Sequence, residues 1–177
     1  NALLDAWCQR HTGQPYDADG VWAAQGHVHA ELLAQMLAEP FIQQAPPKST
    51  GRDLYNAHWL AQQLARFPNL APVDVQATLT AYTAHAAAYH VRAYAPDVRR
   101  LLVCGGGVRN ATLMQCLRDN LPQVQVASTN DCGMDAQAVE ATAFAWLASK
   151  TWRHEPLDLR AVTGAQHARV AGGLYWA

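Results

Sequence analysis

The chain has little charge and no long apolar run, and each absence argues against a class of protein. Only 15% of its 177 residues are charged, and the formal net charge is −1. The thirteen lysines and arginines are scattered along the chain, so nothing indicates a nucleic-acid surface. The longest apolar runs, such as 141–148, are far shorter than the roughly 20 residues that span a bilayer. We therefore expect neither nucleic acid nor membrane as a partner.

Cysteine and histidine are present, but without the spacings that bind metals. The four cysteines form no Cys-x-x-Cys pair, and we expect no secretory signal before them. They are therefore predicted to be free thiols in a reducing, cytoplasmic compartment, with Cys104 as a small core residue. His27 and His29 are two apart and His85 and His90 five apart, so neither pair shares a helix face and no metal site is predicted.

Several catalytic motifs are also missing. The sequence contains no Ser-His-Asp order, no Gly-x-Ser-x-Gly and no His-Glu-x-x-His, so nothing indicates a self-sufficient hydrolase site. The spacing of a phosphate-binding P-loop is absent as well.

One stretch, Leu101-Leu-Val-Cys-Gly-Gly-Gly-Val-Arg-Asn110, predicts a ligand site. Its first four residues are typical of a short buried strand, three glycines follow, and 111–120 has helical composition. Loops at the carboxyl ends of strands are where ligands bind in open α/β sheets. Gly105, Gly106 and Gly107 could adopt positive φ and let a nucleotide approach the backbone. The start of the helix that follows offers unpaired N–H groups.

Two alternatives to a nucleotide loop remain. Gly105, Gly107 and Asn110 have the spacing of a dinucleotide fingerprint, with Asn110 in place of the third glycine. The acidic residue that this fingerprint requires about 20 residues later is missing, which disfavours a dinucleotide-dependent oxidoreductase. The stretch could also be a tight glycine turn without a ligand.

Hydrophobic periodicity predicts a helix-rich α/β chain. Asn1 is expected to cap the first helix, and the long helix before the glycine stretch to cross over the sheet. The last long helix is expected to bury Val139, Ala143, Trp146 and Leu147. The predicted helices are 2–11, 21–37, 54–66, 73–93, 111–120 and 135–152, with a second strand at 124–127 and a short terminal strand within 171–176.

Two features have more than one interpretation. The loop of Lys48, Ser49 and Thr50 could contact a phosphate or could simply cap the helix predicted over 54–66. Glu140, near the start of the last long helix, could be a solvated first-turn charge or could line a ligand cleft. Because the chain opens on Asn1 without a methionine, we expect it to be part of a longer protein.

Six stretches, taken together and in order, resemble the anhydro-N-acetylmuramic acid kinase family. They are Asn1-Ala-Leu-Leu-Asp5, Pro47-Lys-Ser-Thr-Gly-Arg52 with Asn56 and Trp59-Leu60, Asp74-Val-Gln-Ala-Thr-Leu-Thr80, Cys104-Gly-Gly-Gly-Val-Arg-Asn110, Val139-Glu-Ala141 with Phe144-Ala-Trp-Leu-Ala148, and Val162-Thr-Gly-Ala165. The resemblance implies the C-terminal domain of an actin-like ATPase (hexokinase-type) fold, with residues 1–177 as the adenosine-binding part of a two-domain sugar kinase. It implies that the N-terminal phosphate-loop domain and the catalytic aspartate lie upstream of Asn1, so this chain has no catalytic residue of its own.

The resemblance also implies a reaction and a set of binding residues. The family opens 1,6-anhydro-N-acetylmuramic acid with water and phosphorylates O6, using ATP and Mg²⁺, to give N-acetylmuramic acid 6-phosphate for cell-wall recycling. Gly105, Gly106, Gly107 and Asn110 match its adenosine motif. Glu140 and Asn1 are expected at the amino sugar, while Asp5 and the loop of Lys48, Ser49 and Thr50 receive no role.

Two further expectations follow from the resemblance. The full-length family member is expected to form a homodimer, and the isolated chain to be inactive. The alternative is a non-catalytic nucleotide-binding module of the same fold, which would not need Glu140 at a sugar site.

Overall fold

In the computed structural model, residues 1–175 are described. They form eight α-helices and one parallel pair of strands, joined by loops and short 3₁₀ turns. The elements are α1 (Ala2–Thr12), α2 (Ala30–Leu37), α3 (Pro40–Gln43), α4 (Ala57–Leu64), α5 (Pro72–Tyr94), β1 (Arg100–Val103), α6 (Ala111–Asn120), β2 (Gln125–Ser128), α7 (Val139–Trp152) and α8 (Arg160–Thr163).

The long helix α5 is the centre of the molecule. Pro72 occupies its first turn, where the missing N–H costs nothing, and the acidic Asp74 favours the positive end of the helix dipole. Eight consecutive residues, 75–82, are buried, which means that neighbours cover this part of the helix on all sides. The helix predicted over 73–93 is confirmed.

The first hydrophobic cluster joins α1, α2 and α4 to the first half of α5. Leu32 and Met36 of α2 are fully buried, and Leu79 of α5 is only 2% exposed. Leu3 and Leu4 contribute the inner face of α1, as its apolar spacing predicts.

The second cluster belongs to a strand–helix–strand unit. Strands β1 and β2 pair in parallel, with Arg100 opposite Gln125 and Val103 opposite Ser128, and α6 connects them. Ala84 and Ala88 of α5 pack here with Leu113 and other apolar residues of α6 and with Val126 of β2. The predicted strands and the helix at 111–120 are confirmed, with the strand bounds shifted by one residue. Helix α5 packs against this unit mainly through α6, and its expected crossing of the sheet stays a prediction.

The helix predicted over 21–37 is wrong in its first half. Helix α2 begins only at Ala30, and two short 3₁₀ turns occupy Ala18–Gly20 and Ala23–Gln25. The buried Asp17 carboxylate accepts hydrogen bonds from the N–H groups of Trp22 and Ala23, both at 2.9 Å. Gly26 then adopts an extended conformation and ends the second turn. The N–H groups of His27 and His29 then donate to Asp74 Oδ1 and Thr78 Oγ1 of α5 at 2.7 and 3.0 Å. Side chains of α5 therefore take backbone donors that the predicted helix would have used.

Two burial predictions are also wrong. Strand β1 is half exposed, with Leu102 at 42%, and Cys104 is an exposed thiol and not a core residue. Helix α7 begins at Val139, four residues later than predicted, and none of its residues is buried. Its predicted inner face is partly or fully exposed, because no described element covers it.

The remaining predictions concern the helix at 54–66 and the end of the chain. Helix α4 is shorter than predicted, because Asn56 caps it by accepting the N–H groups of His58 and Trp59. Residues 171–175 form no strand, and Trp176 lies outside the described residues. An isolated antiparallel bridge joins Leu157 and Arg169.

Candidate functional site

A cleft of about 320 Å³ lies beside the glycine loop. It brings together four of the predicted site residues, although they come from distant parts of the sequence: Asn1 from the start of the chain and Gly106, Gly107 and Asn110 from the stretch after β1. The other residues that line it are Leu4, Asp5, Tyr16, Asp17, Asp19, Arg109 and Leu113.

Within the glycine loop, each position has a different environment. Gly105 has φ 75° and ψ −170°, a conformation that is essentially restricted to glycine. Its N–H donates to the carbonyl of Ala136 at 2.7 Å, which ties the loop to the segment before α7. A Cβ at Gly106 would meet no atom within 4 Å, so this residue faces open space in the cleft. Of the three glycines predicted to be free for positive φ, Gly105 alone uses that freedom.

Asn110 caps helix α6 with its own side chain. Its Oδ1 accepts the N–H of Leu113 at 2.8 Å. One of the N–H groups expected to be unpaired at the start of this helix is therefore satisfied within the protein. The Nδ2 group makes no hydrogen bond within residues 1–175. Asn110 can therefore donate to a ligand in the cleft, while its oxygen is already engaged.

Asn1 lies where α1 meets α5. It occupies the cap position of α1 but makes no side-chain cap, contrary to expectation. Instead, its Nδ2 donates to Thr83 Oγ1 at 2.7 Å. This bond fixes Asn1 between the cleft and a second, apolar cavity of about 380 Å³.

The second cavity lies between α3 and α5. Tyr55 and Tyr82 line it, and their hydroxyl oxygens are 2.9 Å apart. Burial raises the pKa of both phenols, so both remain neutral hydrogen-bonding groups at physiological pH. The cavity is an open recess with mainly apolar walls.

Lys48 is engaged in structural contacts. Its Nζ donates to the carbonyls of Phe41 and Ile42 at 2.7 and 3.2 Å, and it lies 4.6 Å from the centre of the Phe41 ring. Desolvation lowers its pKa. These contacts support the structural interpretation of this loop over a phosphate contact. Lys48, however, binds carbonyl groups at the end of α3 and does not cap the helix predicted over 54–66.

Glu140 lies apart from the residues that line the cleft. It is exposed in the first turn of α7, where a carboxylate favours the helix dipole. The bond between Gly105 and Ala136 connects the glycine loop to the segment that precedes this helix. Its proposed contact with a sugar remains a prediction.

The turn 17–20 supplies part of the cleft that sequence reasoning did not assign. Asp17 and Asp19 both line it, as does Tyr16 from the same loop. The one sequence signal was the dipeptide Asp19-Gly20, which is typical of a turn but indicates no partner for that turn.

Residues 1–175 contain neither a cluster of metal ligands nor a membrane-spanning helix. No group of three or more His, Cys, Asp or Glu side chains is placed to hold a metal ion. None of the helices in this part of the chain is both long and apolar enough to cross a membrane.

Comparison with known proteins identifies the family. The family model described as anhydro-N-acetylmuramic acid kinase matches residues 1–177. The chain belongs to the anhydro-N-acetylmuramic acid kinase family. Proteins named anhydro-N-acetylmuramic acid kinase from Bordetella pertussis and Albidiferax ferrireducens are 56% and 51% identical to it, over 99% of this chain. A third, from Chromobacterium violaceum, is 51% identical over the same share.

The chain spans about half the length of these anhydro-N-acetylmuramic acid kinases, 47% of the Bordetella protein and 45% of the Albidiferax protein. The family resemblance that the sequence motifs indicated is therefore confirmed. The helix-rich structure with a small parallel sheet agrees with an α/β kinase fragment.

Proposed function

We propose that this chain supplies the adenosine-binding part of a two-domain kinase with an actin-like fold. The kinase would use ATP to open 1,6-anhydro-N-acetylmuramic acid and phosphorylate its O6, giving N-acetylmuramic acid 6-phosphate. The observation that carries the proposal is the cleft that joins Gly106, Gly107 and Asn110 to Asn1. The open space at Gly106 would let the flat base of a nucleoside lie against the backbone. Free thiols and the use of ATP are both typical of a protein in the cytoplasm.

The proposed reaction couples hydrolytic opening of the anhydro bridge to phosphoryl transfer. The oxygen of a water molecule bonds to the anomeric carbon while the bond from that carbon to O6 breaks, and a general base takes the water proton. O6 then bonds to the γ-phosphorus of ATP, and the bond to the β–γ bridging oxygen breaks to release ADP. We assign no residue of this chain as the base.

Each binding residue of the chain has a separate task in this proposal. The backbone of Gly106 and Gly107 packs against the nucleoside, and Asn110 Nδ2 donates to its base or ribose. Asn1 shapes the neighbouring sugar site, and Glu140 accepts a hydrogen bond from the amino sugar. Mg²⁺ on the phosphates would neutralise their charge, but the described residues offer no group of ligands for it, and we assign none.

A calorimetric titration tests the nucleoside site. We expect adenosine and ATP to bind the chain, and Gly106→Val to abolish that binding, because the new side chain fills the space beside the loop. Gly51→Val is the matched control: it lies in a loop outside this cleft, and its Cβ would meet Asp53 Oδ1 at an ordinary 3.5 Å. Unchanged affinity in Gly106→Val would refute this placement of the nucleoside.

A second titration, with the anhydro sugar, separates the kinase from a non-catalytic module. We expect Glu140→Ala to weaken sugar binding and Glu31→Ala, an exposed first-turn acid in α2, to leave it unchanged. With ATP, Mg²⁺ and sugar present, this chain should form no 6-phosphate, because the base is not among its assigned residues. Equal sugar binding in Glu140→Ala and the unsubstituted chain would favour the module. The homodimer expected for the full-length kinase remains a prediction.

A further inference from the structure

Asp19 has an unusual backbone conformation at the wall of the cleft. Its φ is +54°, a region that residues other than glycine rarely adopt, although Asp and Asn do so more often than most. The residue is exposed and lines the cleft opposite the glycine loop. Outliers of this kind persist only where the surroundings hold them, and they concentrate at ligand sites.

The turn that carries Asp19 is fixed on both sides. On one side, the buried Asp17 carboxylate accepts the N–H groups of Trp22 and Ala23. On the other, Thr112 Oγ1 of α6 donates to the carbonyl of Gly20 at 2.8 Å. A Cβ at Gly20 would overlap Asn110 Oδ1 and lie 2.8 Å from Thr112 Cβ, so only glycine allows this close approach. The position of Asp19 is therefore coupled to the residues at the start of α6.

The cleft contains three carboxylates, but they are not equally available. That of Asp17 is occupied by backbone N–H groups, and that of Asp5 lies in the first turn of α1, where the helix dipole favours it. The Asp19 carboxylate makes no hydrogen bond or ion pair within residues 1–175. Arg109 is the one cationic side chain among the lining residues.

This charge distribution decides which part of a ligand belongs beside Asp19. A phosphate there would face a like charge, and Asn110 already satisfies one of the N–H donors of α6 that could have bound it. A hydroxyl group is a hydrogen-bond donor, and hydrogen bonds to a charged acceptor are the stronger ones. The position suits the neutral, hydroxyl-bearing part of a ligand.

We propose that Asp19 accepts hydrogen bonds from the ribose hydroxyls of the nucleoside in this cleft. The inference rests on the proposed function and extends it. It orients ATP with the ribose toward the turn 17–20 and the phosphates away from that turn. Hydroxyl groups of the amino sugar share this chemistry. The ribose is favoured because Gly20, next to Asp19, lies against Asn110 and Thr112 at the start of α6, and Asn110 is the residue proposed to donate to the nucleoside.

The test compares adenosine with 2′-deoxyadenosine and 3′-deoxyadenosine by calorimetric titration of the chain and its Asp19→Gly variant. Glycine accepts positive φ, so the variant removes the carboxylate without straining the turn. We expect adenosine to bind Asp19→Gly about tenfold more weakly than the unsubstituted chain, the effect of losing a hydrogen bond to a charged group. We also expect at least one deoxy analogue to lose affinity for the unsubstituted chain but to bind the variant as adenosine does. Asp97→Asn, an exposed acid outside the cleft, controls for net charge.

The outcomes are distinct. If adenosine binds and Asp19→Gly neither weakens it nor removes the preference over the deoxy analogues, the inference is wrong and the proposed function stands. If, in a parallel titration, the substitution weakens binding of the anhydro sugar and not of adenosine, the assignment to ribose is wrong. If adenosine does not bind the unsubstituted chain, the proposed function fails and this inference with it. The thermal midpoint of Asp19→Gly should equal or exceed that of the unsubstituted chain, which a merely structural role for the carboxylate would not allow.

Discussion

Gly105 and Gly106 are adjacent in the cleft loop, but they are glycine for different physical reasons. Gly105 adopts a conformation that side chains cannot share, whereas Gly106 has an ordinary φ and open space around it. We expect Gly105→Ala to lower the free energy of unfolding by about 1–3 kcal/mol. Gly106→Ala should leave that free energy nearly unchanged and weaken adenosine binding. Urea denaturation and titration of both variants check this, and equal destabilisation of the two would contradict it.

His85, on α5, is expected to give the free energy of unfolding a pH dependence. Burial first, and then the charge of Arg92, lower its pKa below 6.5 in the folded state. As the pH falls below about 6.5, the unfolded chain binds the proton first, so the free energy of unfolding should decrease. The loss should continue until the pH reaches the lower pKa of the folded state.

Replacement of His85 tests this origin. We expect His85→Gln to reduce the slope of unfolding free energy against pH between pH 7 and 5, measured by urea denaturation. His167→Gln, in the exposed tail, should leave the slope unchanged. An identical slope in the His85→Gln variant would assign the pH dependence to other groups.

Among the elements, α5 and α7 differ most in what they contribute to the core. Leu79 of α5 is 2% exposed within the first cluster, whereas Phe144 of α7 is 64% exposed. Leu79→Ala should therefore lower the free energy of unfolding by about 2–5 kcal/mol. Phe144→Ala should change it by no more than about 0.5 kcal/mol. Chemical denaturation of the two variants checks the contrast, and a large loss in Phe144→Ala would show that α7 is packed in solution.

The same two helices show what the sequence could predict. Helix α5 was predictable because its apolar period continues over six turns and a proline marks its start. The burial of α7 was not, because the pattern identifies an apolar face but not whether a partner covers it. The first half of the helix predicted over 21–37 failed because Asp74 and Thr78 of α5, outside that window, take the N–H groups of His27 and His29.

The residues of the candidate site also differ in whether the sequence could predict them. The glycine loop and Asn110 were predictable because strand, glycines and helix occur in order along the chain. Asp19 was not, because its place in the cleft depends on a contact between Gly20 and Thr112, which are 92 residues apart. Asn1 was expected at the site only from the family resemblance, and its bond to Thr83 of α5 fixes it at the cleft.

For the whole molecule, the two hydrophobic clusters share one helix, because α5 supplies Leu79 to the first and Ala84 and Ala88 to the second. Opening either cluster exposes part of α5, and only unfolding of both would release its middle. Native-state hydrogen exchange should therefore give the slowest rates to the amides near 79–88, at the free energy of global unfolding. The amides of α7 should exchange through local opening, and equal protection of the two helices would contradict this. We therefore expect the long helix to make the two clusters a single cooperative unit. A substitution in the second cluster, near the cleft, should then alter amide protection in the first cluster.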